Sequence, residues 1–247
     1  PSGTVTFVFT DIEGSTKLLQ ELGDDYATVQ ADQRRVIRGA FGARGGTEID
    51  TQGDAFFFSF PRARDAVAAA VEAQRALRAH TWPQAKDVRV RMGLHTGEPS
   101  VGDEGYVGID VVRAARISAA GHGGQILISE TTRALLGNQL PEGAAVRDLG
   151  EANLKDVQHE HVFQVSVDDG PSEFPPLKTE HRKSAGESLA ERIQAQVERE
   201  IMAALEGGKA PKAPVAAATM GLTILAITIF AFVAIVVGVI LILKLAL

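Results

Sequence analysis

The sequence predicts an α+β domain with a β-α-β-β-α-β core across residues 1–167. Three observations carry that prediction. Apolar strand-like runs alternate with amphipathic stretches throughout this range, their order is that of a split β-α-β unit with extra helices and strands appended, and no long internal repeat is visible. The range also holds ample apolar residues for a core.

Residues 4–9 alternate β-branched and aromatic side chains and read as the first strand. Helix-like spacing follows over 15–22 and then 24–41, where Val29, Val36, Ile37 and Ala40 form one stripe that Gly45-Gly46 ends. Residues 47–51 and 55–60 flank Gly53-Asp54, so they predict a hairpin whose turn presents Asp54. An alanine-rich helix over 63–79 places Val67, Val71, Gln74 and Leu77 at helical intervals. Residues 88–94 alternate as a strand with one exposed face, 108–119 read as a helix, 125–128 as a strand and 130–136 as a short helix. Strands over 146–149 and 162–165 finish the sheet, giving a ferredoxin-like arrangement.

Composition changes after residue 167. Residues 168–186, rich in Pro, Glu, Lys and Ser, predict a linker. A capping-box pattern at Ser184 and Glu187 opens a helix over 187–206 with Leu189, Ile193, Val197, Ile201 and Leu205 on one stripe. Three roles compete for it: dimerising, lying on lipid, or packing on the domain. The absence of a strict heptad and the mixed charges favour a dimer-supporting or domain-packed helix. Residues 207–214 form a hinge, and 215–243 carry no charge and suffice for one transmembrane helix. Lys209 and Lys212 before the span against Lys244 after it place the N-terminal domain on the cytoplasmic side. With Pro1-Ser2 leaving no room for an export signal, the expected arrangement is a single-pass, tail-anchored protein.

The 247-residue chain has no cysteine, which excludes disulfides and thiolate metal sites and fits a reducing compartment. Its formal net charge of −6 argues against nucleic acid as the partner.

Two carboxylates stand out. Asp11 and Asp54 each end an apolar run, and adjacent strands would bring them to one sheet edge as hard oxygen ligands for Mg²⁺ or Mn²⁺. One aspartate after a strand is usually a cap or turn residue; two, each near a glycine and an aromatic-rich strand, point to a site. Between them Glu13-Gly-Ser-Thr16 reads as a turn opening a helix, whose amides suit phosphate. The combination suggests chemistry on a nucleoside triphosphate.

Phe-Thr-Asp-Ile-Glu-Gly-Ser-Thr (9–16) and Gln-Gly-Asp-Ala-Phe (52–56) resemble the two metal-binding motifs of the class III adenylyl and guanylyl cyclases. Val-Arg-Met-Gly-Leu-His-Thr-Gly (90–97), Gly-Ile-Asp-Val-Val-Arg-Ala-Ala-Arg-Ile (108–117) and Leu154-Lys155 match the family in the same order. The resemblance implies two Mg²⁺ or Mn²⁺ ions per site on Asp11, Asp54 and the Ile12 carbonyl, and leaving phosphates on the amides from Ile12 to Thr16, Gly14 and Ser15 included. It further implies Arg116 against the charge developing on the α-phosphate, Lys155 on the terminal phosphates, and sites shared across a head-to-tail homodimer. The reaction implied is attack of the ribose 3′-hydroxyl on the α-phosphate of ATP or GTP, with pyrophosphate leaving.

Three positions depart from that pattern. Asp50 stands where adenylyl cyclases carry a lysine toward adenine, Gly105 (or Tyr106) where an aspartate accepts from the adenine amino group, and Val112 where an asparagine orients the ribose. The base is therefore open, and a catalytically weak or inactive nucleotide-binding module is the competing reading. His95 and the His122-Gly-Gly turn read as structural, no P-loop segment occurs, and the Gly-Gly-Asp/Glu-Glu/Phe signature of diguanylate cyclases is missing.

Overall fold

The computed structural model describes residues 3–102 and 105–178. The chain opens with β1 (Val5–Ile12), α1 (Ser15–Leu22), α2 (Tyr26–Ala43), β2 (Thr47–Gln52), β3 (Ala55–Phe60), α3 (Ala63–Ala79) and β4 (Val90–Gly97). A small hairpin of β5 (Ser100–Gly102) and β6 (Gly105–Val107) precedes α4 (Ile109–Ala120). β7 (Ile126–Ser129), α5 (Glu130–Leu136), β8 (Ala144–Leu154) and β9 (Val157–Val167) complete the fold. Seven strands form one sheet in the order β2-β3-β1-β4-β7-β9-β8. Its first four strands have the order of the split β-α-β unit. β7 then joins β4 in parallel, through the α4 crossover that such a pairing requires.

Alternation along β1 assigns the two faces of the sheet. Val8 and Ile12 share a buried cluster with Phe56, Phe58 and Phe60 of β3, Ile37 and Phe41 of α2, and Val67 and Leu77 of α3. Val5, Phe7 and Phe9 lie on the other face with Phe57, Tyr106, Val111 and Ala115, so α4 covers that side. A third cluster of Ile117, Leu127, Leu154 and Val162 packs the end of α4 beneath the β8–β9 hairpin. Burying each phenylalanine contributes about 2–3 kcal/mol, so the aromatic ends of β1 and β3 anchor the region around both aspartates.

The seating of α4 depends on Gly93, where a Cβ would come within 2.1 Å of the Ser118 backbone nitrogen. That absence of a side chain lets the helix that carries Arg116 rest directly on β4.

Some boundaries differ from the sequence-based expectation. β1 continues to Ile12, so Asp11 stands within the strand rather than beyond it. β4 starts later and runs through His95 to Gly97, whose alternating small and polar positions face α4. β8 and β9 are each 11 residues long, and the β5–β6 hairpin was not foreseen. Among the described residues no helix is long and apolar enough to cross a membrane. The predicted helix over 187–206, the hinge and the span over 215–243 lie outside the described residues.

Candidate active site

β1 and the β2–β3 turn carry the two carboxylates. Asp11 and Asp54 are almost fully buried, 1% and 6% exposed. Gly53 takes a left-handed conformation, φ +61°, that closes the turn presenting Asp54. Helix α2 holds this turn: Gln33 donates to the Asp54 carbonyl at 3.0 Å and Arg34 to the Gly53 carbonyl at 2.6 Å. The Ile12 amide donates to Asp54 Oδ2 at 2.8 Å, which ties the second carboxylate to the strand that bears the first.

Burial, with the nearby Asp11 charge, pushes the Asp54 carboxyl above the ordinary carboxylate range, while the Ile12 amide and the Ser15 side chain pull it down. Tyr26 is drawn into the same group. Its burial and the Asp54 charge push the phenol up to about 12, and its hydroxyl meets Ser15. Two buried carboxylates, one of which raises the proton affinity of the other, form a donor set that suits a hard divalent cation. Among the described residues no three His, Cys, Asp or Glu side chains gather as a metal cluster, so a cation here would take its remaining ligands from backbone and nucleotide oxygens.

Arg91 faces Asp11 directly across the β1–β4 ladder. Its guanidinium also donates to the Ala119 carbonyl at 3.1 Å, joining Asp11 to the end of α4. Cross-strand register brings these residues together, and register is a long-range property that spacing along the chain does not reveal.

The loop expected to receive phosphate is narrower than its sequence suggested. The amide of Ile12 is engaged by Asp54, and that of Glu13 donates to the Arg89 carbonyl at 2.9 Å. Gly14, Ser15 and Thr16 remain at the start of α1, where the first amides lack intrahelical partners. Gly14 adopts φ +71° and no side chain caps the helix, which leaves this end suited to an anion.

Arg116 is 4% exposed on α4 and donates to Asp156 at 2.8 Å. Asp156 follows Lys155 at the tip of the β8–β9 hairpin, so the fold gathers both proposed phosphate-facing cations at one place. Val112 is buried one turn earlier on the same helix.

Of the two positions expected to select the base, Gly105 lies beside the strand that carries Asp50. A Cβ on Gly105 would lie 4.0 Å from Cγ2 of Ile49, the residue preceding Asp50 on β2. Tyr106 packs edge-on against Phe7, with ring centroids 5.1 Å apart, and fixes β6 over this region. His95 is buried between Ser129 at 2.9 Å and Asp110 at 3.1 Å, a structural bridge from β4 to α4 and β7.

Over residues 1–166 the sequence matches the adenylate and guanylate cyclase catalytic domain family. The chain belongs to this family. An uncharacterized Mycobacterium tuberculosis protein is 38% identical to the cyclase chain over 182 residues, covering 72% of this chain and 61% of that protein. The chain thus spans about 61% of the length of that relative. An adenylate cyclase of Podospora anserina is 34% identical over 181 residues, covering 61% of this chain and 8% of that enzyme. Among solved structures, an adenylate cyclase from Trypanosoma brucei in its monomeric state superposes with a TM-score of 0.65 at 25% identity, covering 74% of this chain and 97% of that one. The cyclase domain therefore has the mixed α+β fold of class III cyclases.

Proposed function

We propose that this chain is a nucleotide cyclase that converts ATP, or less readily GTP, to the 3′,5′-cyclic nucleotide and pyrophosphate at the interface of a head-to-tail homodimer. The observation that carries this reading is the pair of buried carboxylates, Asp11 and Asp54, joined through the Ile12 amide beside the open start of α1. Two Mg²⁺ or Mn²⁺ ions, when bound, would lower the pKa of the 3′-hydroxyl and neutralise the leaving phosphates.

Asp11, Asp54 and the Ile12 carbonyl hold that charge in place. Amides of Gly14, Ser15 and Thr16 receive the leaving diphosphate, and Lys155 binds its terminal phosphate. Arg116 of one protomer meets the charge that develops on the α-phosphate held by the other, a task suited to a fork that stays protonated. Exposed apolar Ile109 and Val101, at the start of α4 and in the β5–β6 hairpin, support an interface on this side. The charge-free stretch over 215–243 supports tethering to a bilayer, with the cyclase domain on the cytoplasmic side.

The deciding experiment incubates the full chain with ATP or GTP and Mg²⁺ or Mn²⁺ at concentrations where it is dimeric. Cyclic nucleotide is expected, and its absence with all four combinations would sink the proposal. A second reading, a module that holds nucleotide and metal without turnover, is favoured by Val112 and Gly105, which lack the polar groups of their counterparts. Robust turnover that vanishes in Asp54→Ala rules that reading out.

A further inference from the structure

Beyond β9 the chain returns across the domain as a strap, residues 171–178, that lacks regular secondary structure. Gln164 donates to the Ser172 carbonyl at 2.8 Å, and the Pro176 carbonyl lies 3.0 Å from Nε2 of His122. Leu177 packs against the cluster at the end of α4, and the Lys178 amide donates to the Ala120 carbonyl at 2.9 Å. The strap therefore rests on the helix that bears Arg116.

Its last described side chain reaches the other half of the site. Lys178 Nζ donates to Glu13 Oε1 at 2.5 Å, and Glu13 stands between Ile12 and Gly14 in the loop that opens α1. Arg89 and His122 approach the same carboxylate less closely, at 3.9 and 3.8 Å. Gly123 closes the opposite side, where a Cβ would lie 2.9 Å from Glu13 Oε2.

We propose that Lys178 is a positioning residue for the phosphate loop, and that it makes triphosphate binding depend on the seating of the C-terminal strap. Glu13 carries a negative charge one residue from the amides assigned to phosphate. Released from Lys178, it repels the triphosphate and competes for the positive start of α1, which favours any nearby anion. Lys178 reaches Glu13 only while Leu177 and the Ala120 carbonyl hold the strap against α4. Displacing the chain beyond residue 178 would thus alter nucleotide affinity through a two-state contact, strap seated or lifted. This rests on the cyclase reading for its ligand, but not for the contact itself.

The test uses the full chain and two readouts: binding of a fluorescent ATP or GTP analogue with Mn²⁺, and hydrogen exchange of amides 12–16 without nucleotide. Lys178→Met is expected to weaken nucleotide binding about fivefold and to speed exchange in the loop. Lys178→Arg restores both, and adding Lys178→Met to Glu13→Gln produces no further loss. Unchanged binding and exchange in Lys178→Met, or additive effects of the two substitutions, overturns the proposal. Failure of the wild-type chain to bind either nucleotide overturns the cyclase reading instead, and the exchange comparison still decides the strap.

Discussion

Arg91 donates to both oxygens of Asp11, Nε to Oδ1 at 2.5 Å and Nη2 to Oδ2 at 3.1 Å, in a pair that is almost wholly out of water. A divalent cation on Asp11 must therefore compete with a guanidinium already in place. Removing one member of such a buried pair leaves an uncompensated charge, which costs about 3 kcal/mol. Arg91→Met is expected to lower metal-free stability by about that amount in urea unfolding, and Mn²⁺ should stabilise the variant more than the wild type. Equal Mn²⁺ responses would show that Arg91 and the cation do not share Asp11.

Asp54 should oppose stability in the metal-free chain. Its carboxyl is held above the ordinary range chiefly by burial. A raised folded-state pKa contributes stability below the unfolded value and loses it as pH rises through the folded value. Near pH 8 the ionised Asp54 is thus a net burden. Asp54→Asn keeps the shape and an acceptor for the Ile12 amide while removing the charge, so the metal-free Tm should rise by about 2–4 °C at that pH. The same variant should lose Mn²⁺ stabilisation and turnover. A lower metal-free Tm, measured by scanning calorimetry, would count against this account.

Asp110 behaves in the opposite sense. The hydrogen bond from His95 holds its carboxyl below the ordinary range, helped by Arg113, and its other oxygen accepts from the Glu98 amide at 3.2 Å. A depressed pKa contributes stability above the unfolded value of about 4 and loses it as pH falls through the folded one. Asp110→Asn is expected to cost about 1 kcal/mol at neutral pH, with the gap to wild type closing as pH falls below the ordinary carboxylate range. A gap that does not change with pH would assign the effect to shape rather than charge.

Much of this was legible along the chain, and the exceptions share a cause. Helices α1, α3 and α5 match their expected bounds because apolar spacing and adjacent turn residues mark both ends. The aspartate pair, Arg116 and Lys155 are singled out by motifs that are each local. What local reading missed depends on distant partners: Arg91 acquires meaning only opposite Asp11, and Lys178 only beside Glu13, 165 positions away. β5 and β6 escaped notice because a three-residue strand seated by Tyr106 on Phe7 has no periodicity of its own.

Val112 offers a test of what limits turnover. It lies buried on α4 one turn before Arg116, where an amide side chain would face the ribose in the family pattern. Restoring one positioned donor is commonly worth two decades in rate, so Val112→Asn should raise kcat by about tenfold or more with KM little changed. Steady-state assays with ATP and GTP read this directly. An unchanged kcat would place the limiting step elsewhere.

The β8–β9 hairpin has one more consequence. Its pairing slips between Asp148 and Glu151 and again between Ala152 and Leu154. Such slips bend and twist a ribbon, and here they aim its tip so that Asp156 meets Arg116. A single residue inserted or deleted along β8 would turn the remaining side chains over and swing Asp156 away from Arg116. For this exposed strand the count of residues up to the tip matters more to the Arg116–Asp156 contact than their chemistry does.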